Sequence, residues 1–122
     1  MKRILLVDDE ADIREAVKKK LVQENYEVIT ASEGHEVLNI CKTNNPDLVI
    51  LDVAIPRING YEICERIKQD SETKNIPVLF VTGKELNPKG IIERCNTLGA
   101  YGFIRKPCAI TEILAKIKEI LG

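Results

Sequence analysis

Three carboxylates, a hydroxyl and an ammonium each sit at the end of a short hydrophobic run in this chain. Ile4-Leu5-Leu6-Val7 leads into Asp8-Asp9, Leu48-Val49-Ile50-Leu51 into Asp52, and Val78-Leu79-Phe80-Val81 into Thr82. Phe103-Ile104-Arg105 leads into Lys106-Pro107. If these runs are neighbouring parallel strands, Asp8, Asp9, Asp52, Thr82 and Lys106 meet at one edge of a sheet, where ligands of open α/β sheets bind. That set suits a hard divalent cation, which takes oxygen ligands and keeps several waters, and a phosphoryl group beside it. Each part has an ordinary explanation on its own. Asp8-Asp9-Glu10 could cap a helix, and a lone aspartate often ends a strand. The coincidence of four such strand ends is what points to chemistry.

The elements that must position these residues alternate from end to end. After the first run, Ile13, Ala16, Val17 and Leu21 follow a helical period and are expected inward. A strand is expected at Glu27–Ala31, then a helix N-capped by Ser32 with Val37, Leu38 and Cys41 inward. Asn44-Asn45-Pro46 stops that helix before the Asp52 strand. Asn59 caps the next helix, with Ile63, Cys64 and Ile67 on its buried side. Pro77 opens the fourth strand, where a missing N–H is tolerated. Asn87-Pro88 reads as N-cap and first helical residue, and Gly99 as the left-handed stop after Cys95 and Leu98. A last helix carries Ile113, Leu114, Ile117, Ile120 and Leu121. Five βα units with short connections imply a parallel sheet covered on both faces, and the strands lack the polar alternation of a half-exposed sheet.

Composition narrows the function classes. The 122 residues make one domain, expected to span 1–122, with 44% hydrophobic and 30% charged residues. A net charge of −1 leaves no basic excess for nucleic acid or an acidic membrane, so neither is expected as a direct partner. Met1-Lys2-Arg3 precedes only four apolar residues, too few for a secretory leader, and a cytoplasmic address is expected. Cys41, Cys64, Cys95 and Cys108 include no C-x-x-C pair, so neither a disulfide framework nor a zinc site is expected. The single histidine, His35, is expected on the surface without a metal.

The chain resembles the receiver domain of bacterial two-component response regulators along nearly its whole length. The resemblance rests on Val7-Asp8-Asp9-Glu10, Leu51-Asp52-Val53-Ala54-Ile55-Pro56-Arg57-Ile58-Asn59-Gly60, Val81-Thr82-Gly83 and Gly99-Ala100-Tyr101-Gly102-Phe103-Ile104-Arg105-Lys106-Pro107. It implies a flavodoxin-like, doubly wound five-stranded sheet of order 2-1-3-4-5 with five helices in three αβα layers; chemotaxis regulators of this family are standard examples of that order. It further implies Asp52 as phosphoacceptor from a phosphohistidine on a sensor kinase or phosphotransfer protein. Mg²⁺ (or Mn²⁺) would be held by Asp9, Asp52 and the Ala54 backbone carbonyl, with Asp8 acting through water. Lys106 and Thr82 would contact phosphoryl oxygens, Phe103 would be the switch aromatic, and Lys106-Pro107 would be a cis bond. Such a protein catalyses only its own phosphorylation and dephosphorylation. Its output would run through the face of the fourth helix, fifth strand and fifth helix, either to a protein target or to a second copy. Asn87, Lys89, Glu93, Arg94, Tyr101, Arg105, Lys116 and Lys118 are assigned to that face.

Some positions depart from the family pattern. Asn59 replaces a common acid, Cys108 stands where phenylalanine is frequent, and the switch aromatic is Phe103, not tyrosine. Ala54 and Lys84 occupy positions that tune loss of the phosphoryl group. Other classes fit less well. A haloacid-dehalogenase-like phosphatase also uses an aspartate nucleophile but needs an acid at the position of Ala54. A flavodoxin needs a hydroxyl- and glycine-rich phosphate loop where this chain has Asp8-Asp9-Glu10. A receiver-like interaction domain not regulated by phosphorylation usually lacks one of the key acids. No effector segment follows Gly122, which is compatible with a stand-alone regulator or with the receiver of a longer protein.

Overall fold

The computed structural model of the protein describes residues 1–53, 59–83, 88–106 and 108–122, with 88, 89, 91 and 92 described as helix backbone only. Its strands are β1 (Arg3–Val7), β2 (Glu27–Ala31), β3 (Leu48–Asp52), β4 (Val78–Thr82) and β5 (Gly102–Arg105). They alternate with α1 (Ala11–Gln23), α2 (Gly34–Asn44), α3 (Gly60–Gln69), α4 (Pro88–Leu98) and α5 (Ile110–Leu121). All pairings are parallel, in the order β2-β1-β3-β4-β5. This is the flavodoxin-like arrangement that the family resemblance implies. The order reverses between β1 and β3, so the crevice for a ligand opens at their carboxyl ends.

Period-two alternation along each strand divides the core into two layers. Leu5 and Val7 of β1 face the layer built with Val37 and Cys41 of α2, Ile63 and Ile67 of α3, and Cys95 of α4. Ile4 and Leu6 face the layer built with Val17 and Leu21 of α1 and Ile113 and Ile117 of α5. Every residue of β3 and β4 is buried, which is why neither run alternates with polar residues. Each of their Val, Leu, Ile and Phe side chains stabilises the fold by about 1.5–3 kcal/mol through its removal from water. Cys41, Cys64 and Cys95 are free, buried thiols within this apolar packing. His35 is exposed and lies 3.1 Å from Glu33.

Local chemistry sets the helix ends. Asn59 Oδ1 accepts from the Glu62 N–H at 2.9 Å, the expected N-cap of α3. Asn45 (φ 47°) ends α2 and Gly99 (φ 74°) follows α4, both left-handed. Ser32 is not the cap of α2; Glu33 is, in extended conformation and without a side-chain cap bond. The chain leaves β2 at Ala31 and uses both Ser32 and Glu33 to turn, so the helix starts one residue later than expected. Ile13 and Ala16 are also corrections, since both are exposed, whereas Val17 and Leu21 are buried as expected. The Asn87 cap lies outside the described residues. On the far side of the sheet, the Tyr61 ring meets Phe80 edge-on at 5.2 Å, and the Arg94 guanidinium lies over Tyr61 at 4.9 Å, joining α4 to α3. Among the described residues no helix is long and apolar enough to cross a membrane.

Candidate functional site

Three ladder bonds continue one step past the regular strands and carry the site residues with them. The Asp8 N–H donates to the Ala31 carbonyl (3.2 Å), Val53 N–H to Val81 (3.3 Å), and Lys106 N–H to Thr82 (2.8 Å). Val7 is registered with Leu51, so Asp8 and Asp52 follow side by side. Asp52 is opposite Val81 and Thr82 opposite Arg105. The sheet therefore delivers Asp8, Asp52, Thr82 and Lys106 to one edge by register alone.

Asp8, Asp52 and Thr82 are buried there, at 4%, 4% and 3% exposure. Buried carboxylates need compensation, and the structure supplies it. Asp8 Oδ1 accepts from the Glu10 N–H at 2.9 Å, and the Arg14 guanidinium donates to the Asp8 carbonyl at 2.7 Å, tying the strand end to the first turns of α1. Lys106 Nζ lies 3.3 Å from Asp8 Oδ2, 3.1 Å from Asp52 Oδ2 and 3.7 Å from Glu10 Oε1. Burial pulls the Lys106 ammonium toward deprotonation, but Asp52 and Asp8 outweigh it and hold the pKa above its ordinary value.

Two glycines make room for this geometry. A Cβ on Gly60 would stand 2.7 Å from the Asp52 carbonyl oxygen, a distance that side chains essentially never show. The first turn of α3 thus closes directly onto the end of β3, with the Gly60 N–H donating to Val53 at 2.9 Å. A Cβ on Gly83 would meet Lys106 Cβ at 3.1 Å, so Gly83 leaves the lysine stem its path toward the acids.

The donor set fits a hard divalent cation. Carboxylate oxygens of Asp8, Asp9, Glu10 and Asp52 all lie within 4.8 Å of one another, two of the acids buried and two exposed. The Ala54 carbonyl and the Lys106-Pro107 bond, because of Pro107, lie outside the described residues, as does Lys84. Phe103 is half-buried on β5, registered with Phe80, and it borders a surface groove with Arg105, Lys116 and Glu119. Lys118 does not belong with that face, because it lies 3.8 Å from Glu24 at the end of α1. Glu10 and Arg14 have no role that the sequence alone announces. Glu10 stands inside the motif, but only the turn into α1 reveals that its carboxylate joins the cluster.

Comparison with known proteins agrees with this geometry. The response regulator receiver domain family matches residues 4–118. The chain is 37% identical over 120 residues to the alkaline phosphatase synthesis transcriptional regulatory protein PhoP of Bacillus subtilis, covering 98% of this chain and 48% of that protein. It spans about half the length of the curated relatives it matches. Among solved structures, the chemotaxis response regulator CheY4 of Vibrio cholerae superposes with a TM-score of 0.89 at 30% identity, covering 98% of both chains. The non-phosphorylated HemR receiver domain of Leptospira biflexa gives 0.89 at 34% identity, covering 100% of this chain and 95% of that one. The chain belongs to the receiver domains of two-component response regulators, phosphoacceptors that work with histidine kinases or phosphotransfer proteins.

Proposed function

We propose that residues 1–122 act as one receiver unit that takes a phosphoryl group onto Asp52 from a phosphohistidine of a sensor histidine kinase or a phosphotransfer protein. The observation that carries this reading is the Lys106 ammonium held between the buried carboxylates of Asp8 and Asp52 at the crevice of the sheet. An Asp52 oxygen forms the new P–O bond as the P–N bond of the phosphohistidine breaks, and the electron pair leaves with the imidazole nitrogen. Lys106 then has a phosphoryl oxygen to pair with in place of a carboxylate, and the Thr82 hydroxyl donates to another. Asp9 and Asp52 would hold Mg²⁺ (or Mn²⁺) together with the Ala54 carbonyl, with Asp8 acting through water. When bound, that cation supplies neutralisation of charge on the phosphoryl oxygens. Hydrolysis returns Asp52 to a carboxylate, so the protein catalyses only its own labelling and unlabelling.

Acetyl phosphate with Mg²⁺ tests the assignment by intact-mass spectrometry. Wild type gains one phosphoryl mass, and Asp52→Asn gains none; equal labelling of both would remove Asp52 from this role. Output runs through the face made by α4, β5 and α5, where Glu93, Arg94, Tyr101, Arg105 and Lys116 offer a mixed-charge surface to a protein target or a second copy. A cytoplasmic location goes with these partners, and no direct contact with nucleic acid or membrane is required.

A further inference from the structure

A cavity of about 520 Å³ lies between α1, α5 and the sheet and reaches the edge where Asp8, Asp52 and Lys106 stand. Its walls are Ile13 and Val17 of α1, Ile50 and Val81 of the sheet, and Ile110 and Ile113 of α5. Its size falls in the range of about 300–1,000 Å³ typical of small-molecule sites, which are apolar with a few convergent polar groups. Phosphoryl transfer uses only the acidic end. The aliphatic wall contributes nothing to holding an inorganic cation or a phosphate. Ile13, in the first turns of α1, keeps 37% exposure beside this space.

The charge at the polar end decides what kind of head group fits. Among the described residues, Asp8, Asp9, Glu10 and Asp52 crowd there against the Lys106 ammonium, with the Arg14 guanidinium on the Asp8 carbonyl, so the described charges leave the end net negative. Without a bound divalent cation an anionic head is repelled there, whereas a primary ammonium carries three donors for carboxylate oxygens. We propose that the cavity binds a small amphiphilic cation, a primary alkyl- or arylalkylammonium, with its head on the Asp8 and Asp52 carboxylates and its body between α1 and α5. Such a ligand competes with the divalent cation and so restrains phosphorylation. The competition rests on the metal reading above; the binding itself does not.

Hexylammonium is the probe, followed by methyl and amide NMR shifts of the full chain. Saturable shifts are expected at the Ile13, Ile50 and Ile113 methyls. Methylammonium, which has the head alone, and hexanol, which has the body alone, should each bind at least tenfold more weakly, and hexanoate should not bind. Cys108 and Ala16 both line the cavity, and Ala16 is solvent-exposed, so Ala16→Phe fills the space without entering the core. Ala16→Phe and Cys108→Phe should each weaken hexylammonium at least tenfold, the amide spectrum reporting that the fold is kept. Millimolar Mg²⁺ should raise the apparent Kd severalfold. Absence of saturable shifts overturns the site, as does equal binding of hexanoate, or unchanged affinity in a folded Ala16→Phe variant. Hexylammonium binding with no sign of Mg²⁺ binding would keep the site and sink the metal reading. Mg²⁺ binding that leaves the hexylammonium Kd unchanged would overturn the competition.

Discussion

A methyl group on Gly60 would stand 2.7 Å from the backbone oxygen of Asp52, so the start of α3 and the end of β3 are in direct backbone contact. The glycine requirement comes from this close approach. Gly60→Ala must push α3 outward, and overpacking of this kind destabilises by about 1–3 kcal/mol. Urea denaturation should register that loss, together with slower labelling of Asp52 by acetyl phosphate.

Lys106→Met leaves the Asp8 and Asp52 carboxylates buried without their ammonium. Breaking a buried ion pair in this way destabilises by about 3 kcal/mol near neutral pH. The wild-type lysine is held above its ordinary value of 10.5. Its contribution is therefore complete below 10.5 and lost only as pH rises through the higher folded value. Chemical denaturation of both proteins from neutral to strongly alkaline pH should show the gap closing only at the alkaline end.

Mg²⁺ held by the native cluster of acids would raise the melting temperature of the wild type. Asp9 is exposed, so Asp9→Ala can remove a ligand without opening the core. The expected shift is clear for wild type at millimolar Mg²⁺ and much smaller for Asp9→Ala. An unshifted wild type would argue against a preformed site.

Burial pushes the thiols of Cys41 and Cys64 up from 9.0 to about 11. Below 9.0 both states keep these protons; between 9.0 and about 11 only the unfolded chain releases them, so stability falls through that window. Each thiol contributes about 2–3 kcal/mol to the drop. Its size follows from denaturation midpoints of wild type and Cys64→Ala at the two ends of the window, the variant showing the shallower slope. In native protein a thiol reagent should label the half-buried Cys108 first, with Cys41 and Cys64 reacting no faster than the chain opens.

Beryllofluoride with Mg²⁺ should imitate the phosphorylated state and shift amides on α4 and β5. Thr82→Ala should weaken that response while Asp52 still accepts a phosphoryl group. Shifts confined to the loops around Asp9, Asp52 and Lys106 in wild type would exclude a switch through Thr82 and Phe103.

Much of this architecture is legible in the sequence because it depends on local pattern. Strands buried on both faces appear as unbroken apolar runs, and Asn59 and Gly99 announce helix ends by chemistry that acts within a few residues. Ser32 misleads because a cap is decided by how many residues the chain needs to leave a strand, which its hydroxyl does not encode. Ile13 and Ala16 follow the apolar period of α1, yet period fixes only a direction, not whether a neighbour arrives to cover it. Glu10 and Arg14 escape a sequence reading for the same reason: both reach the acids through the turn into α1. Lys118 falls outside the face assigned to it because successive helical residues point to different sides of α5.

Lys106 is separated from Asp8 by 98 positions and from Asp52 by 54, and it reaches both from beyond the last strand. During synthesis the two acids leave the ribosome long before their counterion, and pairing of β1 with β3 already draws them together. A partly made chain therefore holds these two carboxylates at its central crevice without the Lys106 ammonium. Docking of β5 onto β4 closes a shorter loop than the pairing of β1 with β3, and it brings in the charge that relieves the repulsion, so this last step carries an electrostatic reward. A chain that stops before Lys106 lacks the ammonium that pairs with both acids. The pairing of Lys106 with both acids thus reports that the molecule has finished folding.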